Sequence, residues 1–498
     1  MSVDNAARAL AISAKTIAGT AQSGTRRANN RIASRAISGK PSVVALTIAA
    51  LTPSNVSCAT TGVTYNIRVA APAQFDAVRI LVANAASSAV TGVRAAFSLA
   101  TGSGGWQAGL PGSGGNVTAA IGSNPGNQTV APSTKGGFLN IGGSAGAYTF
   151  NRMTFGYKIE VDLPPAIVTS PTAVPSWTVS DWSPCAPVAR TDGGTLPLVD
   201  IRLQFPPSGY TPISGATSSS PGVTLVAGSM GNWAIDSAID SGRPFNAGLM
   251  WRVLGQNDTG VDKTINFQGS NTPSVGLNGP LIIVQFHTLT DIHTIVYLQD
   301  SIGEYNATGE YANTYAFRGA MAAAAATGKT ISWCPLTWPS GAAAQYMLSA
   351  TPIMDYLQPE IVWAKPMGPN DTAYATLTQD NVSTAYSNLG YAMSLAQKYK
   401  SKVIIEPHLA VNNSAPDTWG ATDSFRIAWN SYYASQAASM GYTFINTDVP
   451  WISGGSIVSG QQQANSSYTA DGTHANEAGH TALTPVATAG ATAVLNSP

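Results

Sequence analysis

The stretch HTIVYLQDSIG, residues 293–303, places an acid, a serine and a glycine directly after a short apolar run. A run of this kind, bounded by turn residues, is typical of a buried strand. Aspartate, serine and glycine are the usual residues of turns, so DSIG taken alone predicts a turn. The alternative is that Ser301 is a nucleophile presented at the end of a strand, and the rest of the sequence has to decide between the two.

From about residue 291 to the C-terminus, strand-like and helix-like segments alternate. The apolar runs TIVYLQ, TISWCPL, EIVWAKP and KVIIEPH are separated by helix-like segments such as YAFRGAMAAAAATG and FRIAWNSYYASQAASMG. This alternation predicts βαβ units and a mostly parallel sheet. Ligands of such sheets bind at the carboxyl ends of the strands, so functional residues are expected just after each strand.

Four short segments occupy such positions. Asp300 and Ser301 follow the first strand, PSGA (339–342) follows the second, GPND (368–371) follows the third, and DGTH (471–474) lies near the C-terminus. Each segment taken alone is a good turn or a chance match. Their joint occurrence, in this order and at predicted strand ends or in a late loop, favours convergence on one edge of the sheet.

Acyl transfer needs the residue types that converge there. The hydroxyl of Ser301 is a weak nucleophile until a base removes its proton, and His474 can be that base. A carboxylate must hold the imidazole in one tautomer, and Asp471 can reach back to it across a tight turn. The oxyanion of the tetrahedral intermediate needs hydrogen-bond donors. The backbone N–H groups of Ser301 and Gly341 and the side-chain amide of Asn370 are the candidates.

With its blocks in the order QDS, PSGA, GPND and DGTH, the chain from 291 to 498 resembles the SGNH, or GDSL-type, hydrolase family. The resemblance implies a three-layer α/β/α domain and ester hydrolysis without a metal or organic cofactor. It implies Ser301 as nucleophile, His474 as base and Asp471 as the residue that orients it. It further implies an oxyanion hole formed by Ser301, Gly341 and Asn370.

Two departures from the family pattern concern the serine and glycine blocks. Gln299 stands where the family usually has a glycine, and we expect it to stiffen the turn or narrow the cleft. The glycine block is the weakest of the four, so Gly319 remains an alternative to Gly341. Asp371 is expected to fix the loop that carries Asn370 rather than to act as an acid.

Other histidines and tryptophans are weighed against ordinary structural roles. We expect His480 on a helix surface and His408 in a structural position, although the latter could line the cleft. His287 and His293 are expected to have no chemical role. Four tryptophans near predicted loops could stack on sugar rings, but core packing is the better interpretation of each one; they are Trp338, Trp363, Trp419 and Trp451.

Residues 41–290 have a different pattern. Segments such as FDAVRILVANAA, GYKIEVDL and PLVDIRLQF alternate or run apolar over strand lengths, with Gly-, Ser- and Pro-rich turns between them. We predict a β-rich, sandwich-like region of one or two modules. The fold class is therefore α/β, with this region in front of a hydrolase-like domain at 291–498.

Composition limits the remaining function classes. The chain has 498 residues, 44% of them hydrophobic, and its net charge is zero, which excludes a wholly disordered chain. Three cysteines, Cys58, Cys185 and Cys334, do not make a disulfide framework; a Cys58–Cys185 pair stays open, with reduced thiols as the default. With neither CxxC nor HExxH among the motifs, a structural zinc site is not expected.

The first 40 residues form a short basic N-terminal arm, predicted to be partly helical. This arm holds one acidic residue, Asp4, and seven basic ones, which are Arg8, Lys15, Arg26, Arg27, Arg31, Arg35 and Lys40. Such an arm suits docking on another protein or on an anionic glycan, whereas a nucleic acid is not an expected partner. A solvated tail without a partner is an equally good interpretation of this composition. No secretory signal and no transmembrane segment are expected, since the longest nearby apolar stretch, VVALTIAAL, is too short to span a bilayer.

Together these features favour a carbohydrate O-acetyl esterase that acts on surface polysaccharide. The arm, the β-rich forepart and the missing signal suit a phage tail spike or fibre, in which the arm would contact other virion proteins and a homotrimer would be common. An extracellular bacterial esterase is the alternative location. The rival function is a virion structural or receptor-binding protein with an inactive hydrolase fold, and Gln299 is the one feature that favours it.

Overall fold

The structure is a computed structural model. It describes residues 42–47, 63–84, 89–100, 147–149, 157–163, 174–180, 182–184, 198–205, 248–254, 266–268, 282–303, 314–338, 341–371, 379–411, 422–458 and 461–498. The basic arm predicted for 1–40, the Cys58–Cys185 pair and Trp419 lie outside these residues.

Two antiparallel sheets of five strands each are described in the first part of the chain. The first sheet runs β1 (Ser42–Thr47), β12 (Ile282–Thr288), β3 (Phe75–Asn84) and β7 (Ser176–Val179), with β8 (Ser183–Pro184) also paired to β3. The second runs β10 (Gly248–Leu254), β2 (Val63–Ala70), β9 (Leu198–Phe205), β4 (Val90–Ala100) and β6 (Tyr157–Leu163). A short pair joins β11 (Asn266–Gln268) to β5 (Ala147–Thr149). These sheets agree with the β-rich composition.

A five-stranded parallel sheet organises the described residues after 291. Its order is β14 (Ile331–Thr337), β13 (His293–Gln299), β15 (Ile361–Ala364), β16 (Lys402–Ile405) and β17 (Thr443–Phe444). All pairings in this sheet are parallel. Strands β13, β14 and β15 are buried almost throughout, as expected for strands covered on both faces.

Helices cover both faces of this sheet. They are α1 (Tyr315–Thr327), α2 (Ala343–Leu357), α3 (Gln379–Tyr399), α4 (Thr422–Ser439), α5 (Asp448–Ile452) and α6 (Glu477–Asn496). A hairpin of β18 (Ile457–Val458) and β19 (Gln461–Gln462) follows α5. The predicted α/β class with a parallel sheet and flanking helices is confirmed.

Side chains of β13 alternate between the two helical layers, as the two-residue period of a strand requires. Val296 and Leu298 share one apolar core with residues of α2, α3 and α4. Tyr297, on the opposite face, packs its ring 4.8 Å from that of Trp333, which in turn contacts Phe317 of α1. Helix α1 packs along α6 in this second layer. The strand ends between the layers form the edge where the candidate residues lie.

The first antiparallel sheet contacts the helical layer formed by α2. Leu81 and Ile283 belong to the same apolar core as Val296. Gln285 donates a hydrogen bond from Nε2 to the backbone oxygen of Tyr356 at 2.8 Å, so strand β12 is joined to the end of α2. The domain boundary near residue 290 stays a prediction. Within the described ranges, no helix is both long and apolar enough to cross a membrane.

Candidate active site

Ser301 lies at the carboxyl end of β13, an inner strand of the parallel sheet. The strand ends at Gln299, and a short 3-10 turn runs from Ser301 to Gly303. The carboxylate of Asp300 accepts a hydrogen bond from the backbone N–H of Ile302 at 2.9 Å, which closes this turn. Ser301 is half-buried at this edge of the sheet.

The structure brings Ser301, His474 and Asp471 together. Nε2 of His474 lies 2.9 Å from Oγ of Ser301. On the other side of the ring, Nδ1 lies 2.6 Å from Oδ2 of Asp471. Because an ionised carboxylate only accepts hydrogen bonds, Nδ1 must carry the proton, which leaves Nε2 free to accept from the serine hydroxyl. The three side chains thus form one continuous hydrogen-bonded line.

A tight turn allows Asp471 to reach the ring of a residue only three positions later. Oδ1 of Asp471 accepts the backbone N–H groups of Thr473 at 2.9 Å and His474 at 2.8 Å. Gly472 has a φ of 81°, a left-handed value that glycine adopts without a steric penalty. Helix α6 begins directly after this turn, and Asn476 caps it by accepting the N–H of Gly479 at 3.0 Å.

These contacts set the charge of Asp471. Partial burial alone would raise the pKa of its carboxyl, but the hydrogen bonds from His474 and Thr473 outweigh burial and lower the pKa to about 2. Asp471 is therefore ionised over the whole range in which an esterase would work.

The three candidate oxyanion donors differ in the hydrogen bonds that they already make. Asn370 is half-buried, and its Nδ2 donates to the backbone oxygen of Gly341 at 3.4 Å. The backbone N–H of Gly341 itself donates to the oxygen of Trp338 at 2.9 Å, so this amide is engaged here. Ser301 begins its 3-10 turn, where backbone N–H groups have no partner within the helix. Asn370 and Gly341 do lie together, whereas their action on an oxyanion stays a prediction.

Asp371 fixes the loop that carries Asn370, as expected. Its Oδ2 accepts the N–H of Gly368 at 2.8 Å, and its Oδ1 accepts the N–H of Ala343 at 3.0 Å at the start of α2. Burial raises the pKa of Asp371 to about 7 although both backbone hydrogen bonds oppose this. The loop and the first turn of α2 are therefore held by one buried carboxyl.

Three expectations need correction. Of the two effects expected of Gln299, narrowing of the cleft is wrong, because its side chain is fully buried and bonds Glu406. Gly319 is not an alternative oxyanion donor, since it lies inside α1, where the backbone N–H groups are used by the helix itself. His480 is not on a helix surface: it is fully buried, and its Nδ1 accepts the backbone N–H of Tyr315 at 3.1 Å.

The remaining candidates have structural positions. His408 is buried, and its backbone N–H and oxygen both bind the side chain of Asn430. The candidate tryptophans within the described ranges, Trp338, Trp363 and Trp451, are buried and cannot stack on a sugar as they stand. Within the described part of the chain, no three His, Cys, Asp or Glu side chains cluster as metal ligands would.

Two buried ionisable side chains that contact the residues just before Ser301 are not among the predicted ones. Lys365 is fully buried, and its Nζ donates to Oδ2 of Asp300 at 3.3 Å. Glu406 is buried at the end of β16, and burial raises its pKa to about 7 against the opposing hydrogen bonds of Tyr315 and Trp363. The signal was present in the sequence, because EIVWAKP and KVIIEPH each place one charge directly after an apolar strand.

Comparison with known proteins gives likenesses of fold only. No protein-family model matches the chain, and no curated protein sequence matches it. Its C-terminal part is similar to solved structures of GDSL-type lipases, acylhydrolases and esterases. A GDSL-like lipase from Bacteroides thetaiotaomicron is 19% identical over 39% of this chain and 85% of its own, with a TM-score of 0.29.

Two further structures give similar values. A lipase/acylhydrolase from Enterococcus faecalis is 17% identical over 40% of this chain and 94% of its own, with a TM-score of 0.31. A variant of an acetyl-xylooligosaccharide esterase from Geobacillus is 12% identical over 39% and 91%, with a TM-score of 0.29. At these values the likeness concerns the fold alone.

Proposed function

We propose that this protein is a serine ester hydrolase whose nucleophile is Ser301. The observation that supports this most strongly is the line from Ser301 through His474 to Asp471, with separations of 2.9 Å and 2.6 Å. The groups come from segments 173 residues apart in the chain, so their alignment is a property of the fold. A hydroxyl, an imidazole and a carboxylate in this order are what acyl transfer requires.

The reaction would proceed through an acyl-enzyme. His474 takes the proton of Ser301 as the serine oxygen attacks the ester carbonyl, and the carboxylate of Asp471 stabilises the imidazolium that forms. Collapse of the tetrahedral intermediate expels the alcohol, which receives the proton from Nε2. Water then attacks the acyl-serine with the same histidine as base, so the acid is released and Ser301 is restored.

Asn370 would donate a hydrogen bond to the oxyanion. Its Nδ2 group carries two hydrogens, one of which is aimed at Gly341 at 3.4 Å, so the other is available. For the amide of Gly341 to join it, the hydrogen bond to Trp338 would have to open when substrate binds. Each donor of this kind is worth about 3–4 kcal/mol in the transition state.

For the substrate, we propose an O-acetylated surface polysaccharide, with the protein carried on a phage tail. The β-rich region at 41–290 and the basic arm at 1–40 favour this placement, because a tail protein needs a segment for attachment and an outer surface with few charges. Trp338, Trp363 and Trp451 do not favour a sugar, since all three are buried. The arm would bind another virion protein, and the assembly would be a homotrimer.

The rival proposal is a virion structural or receptor-binding protein whose hydrolase fold is inactive. Gln299 no longer favours it, because its side chain is directed away from the cleft. One observation does favour it: the backbone N–H of Gly341 is already engaged by Trp338. The two proposals differ in whether Ser301 reacts.

The test is the reaction of Ser301 with an ester and with a fluorophosphonate. The wild-type protein should release nitrophenol from p-nitrophenyl acetate and should be labelled at Ser301, whereas Ser301→Ala should do neither. Ser439→Ala, which alters an exposed serine at the end of α4, is the matched control and should behave as wild type. Background release from all three proteins without labelling would exclude the hydrolase and favour the binding protein.

The substrate and the location have their own tests. Mass spectrometry of host surface polysaccharide before and after treatment should show loss of acetyl groups with wild type but not with Ser301→Ala. Peptides of this chain should also be found in purified phage particles. An unchanged polysaccharide, with p-nitrophenyl acetate still cleaved, would retain the esterase and reject this substrate.

A further inference from the structure

Glu406 carries a buried carboxyl group that the proposed reaction does not use. Its Oε2 accepts hydrogen bonds from Nε2 of Gln299 at 2.8 Å and from the hydroxyl of Tyr315 at 2.7 Å. Its Oε1 accepts from Nε1 of Trp363 at 2.6 Å. A carboxyl is costly to bury unless hydrogen bonds satisfy it, so three donors from three elements indicate a built arrangement rather than an accident of packing.

The first of these donors leads to the serine turn. The carboxamide of Gln299 donates to Glu406 at one end, and at the other its Oε1 accepts the backbone N–H of Asp300 at 2.9 Å. A hydrogen-bonded chain therefore runs from Glu406 to the residue directly before Ser301. The stem of Gln299 also packs under Gly303, where a Cβ atom would overlap it. A glycine at position 299 could make none of these contacts.

The second donor leads toward the histidine loop. The hydroxyl of Tyr315 binds Glu406, and the backbone N–H of Tyr315 donates to Nδ1 of His480 at 3.1 Å. The two rings also stack, with centroids 6.0 Å apart and an interplanar angle of 23°. His480 lies in α6, the helix that begins just after His474. Glu406 is thus connected to both sides of the Ser301–His474 contact.

We propose that Glu406 and Gln299 are positioning residues, which hold the Ser301 turn at its working distance from His474. This inference rests on the proposed function. Both side chains are buried, and they act through the backbone of the serine turn, Gln299 directly and Glu406 through Gln299. Displacing a reacting group by about 1 Å can lower a rate by about a hundredfold, so loss of this anchor should be visible in the reaction of Ser301.

A buried glutamine elsewhere gives a matched control. Gln285 is also fully buried, and its side chain likewise both accepts and donates: it accepts from Arg79 at 2.6 Å and donates to Tyr356 at 2.8 Å. It lies in β12 of the first antiparallel sheet. Gln299→Met and Gln285→Met remove the same polar groups with similar volume, so both should lower the unfolding midpoint. Only the first should alter the serine turn.

Two measurements separate positioning from a general loss of stability. The first is the second-order rate of fluorophosphonate labelling at Ser301, which does not depend on knowing the substrate. It should fall by about tenfold or more in Gln299→Met and stay within about twofold of wild type in Gln285→Met. The second is hydrogen exchange of backbone amides in residues 298–303, which should become faster only in Gln299→Met.

Each outcome decides the inference. Unchanged labelling and unchanged exchange in Gln299→Met would overturn it, as would equal losses in both variants. If wild type is not labelled at all, the proposed function fails, and exchange alone decides whether Gln299 anchors the turn. If Gln299→Met does not fold, Tyr315→Phe replaces it, because this change removes the tyrosine hydroxyl that donates a hydrogen bond to Glu406. Slower labelling of Ser301 in this variant supports the inference, and labelling at the wild-type rate overturns it.

Discussion

Gly368 lies directly against the carboxylate of Asp300, so closely that a Cβ atom on Gly368 would overlap Oδ2 of the aspartate. Asp300 is fully buried and is paired with Lys365. The backbone N–H of Lys365 in turn donates to the oxygen of Leu298 in β13 at 3.1 Å. The loop that carries Asn370 is therefore fixed against the turn that carries Ser301, and a glycine is what permits the approach.

Replacing Gly368 by alanine should destabilise the protein. The new methyl group must displace the buried Asp300 carboxylate, and overpacking of this kind costs about 1–3 kcal/mol. The free energy of unfolding, measured with denaturant, checks this. Gly390→Ala is the control: Gly390 is an exposed residue of α3 with nothing within 4 Å of an added Cβ, so this change should stabilise by about 0.5–1 kcal/mol. Equal stability of Gly368→Ala and wild type would show that the approach is looser than described.

The sequence predicts the parts of this site that depend on local order. The strand before Ser301, the turn at 471–474 and the alternation of strands and helices are all visible in consecutive residues, because a strand or turn is specified by its own side chains. These local patterns suffice to predict that Ser301, His474 and Asp471 act together, and in the structure they lie within hydrogen-bond distance of one another.

Contacts between distant segments explain what sequence reasoning missed. The donors to Glu406 lie 107, 91 and 43 residues away, and no local pattern indicates that they will meet. The sequence also does not reveal which side of α6 packs on α1. His480 lies on that side and accepts the backbone N–H of Tyr315, which lies 165 residues earlier. The sequence likewise gives no sign that the side chain of Gln299 turns inward to bond Glu406, 107 residues later.

Asn370→Ala should lower activity with little effect on stability. Asn370 is half-buried and makes one long hydrogen bond at 3.4 Å, so the fold loses little when it is removed. If its amide donates to the oxyanion, kcat should fall by about 10²–10³ while KM changes little. Hydrolysis of p-nitrophenyl acetate and a thermal unfolding curve check the two parts. A variant as active as wild type would remove Asn370 from the oxyanion hole.

Asp471→Asn should lower the rate of labelling and hydrolysis by about 10²–10⁴, because an amide can present its N–H group to the ring and favour the wrong tautomer. Since the pKa of Asp471 is lowered to about 2, its carboxylate stays ionised at higher pH, and the ratio of wild-type to variant rates should be constant from about pH 5 to about pH 8. Asp355→Asn, an exposed change on α2, should leave the rate unaltered. A ratio that approaches one within this range would contradict the assigned role.

Buried carboxyls should make the protein less stable as the pH rises toward neutrality. Burial raises the pKa of Glu406 from 4.5 to about 7, and it raises that of Asp371 from 3.8 to about 7. The folded protein therefore keeps protons that the unfolded chain has released, so the stabilising effect is complete below the unfolded pKa and is lost as the pH passes through about 7. The charged and titratable groups around Glu406 are Asp300, Tyr297, Tyr315 and Lys365.

Glu406→Gln isolates this effect from the other ionisable groups. The glutamine keeps the shape of the side chain but cannot titrate. Its NH2 group must lie against a hydrogen-bond donor, either Trp363 or the Gln299–Tyr315 pair, so that hydrogen bond is lost. The variant should therefore unfold at a lower temperature throughout. The difference in unfolding midpoint between wild type and variant should be largest near pH 4 and should shrink as the pH rises through about 7. A difference that widens with pH would mean that Glu406 is held as a stabilised anion, with a pKa below its unfolded value.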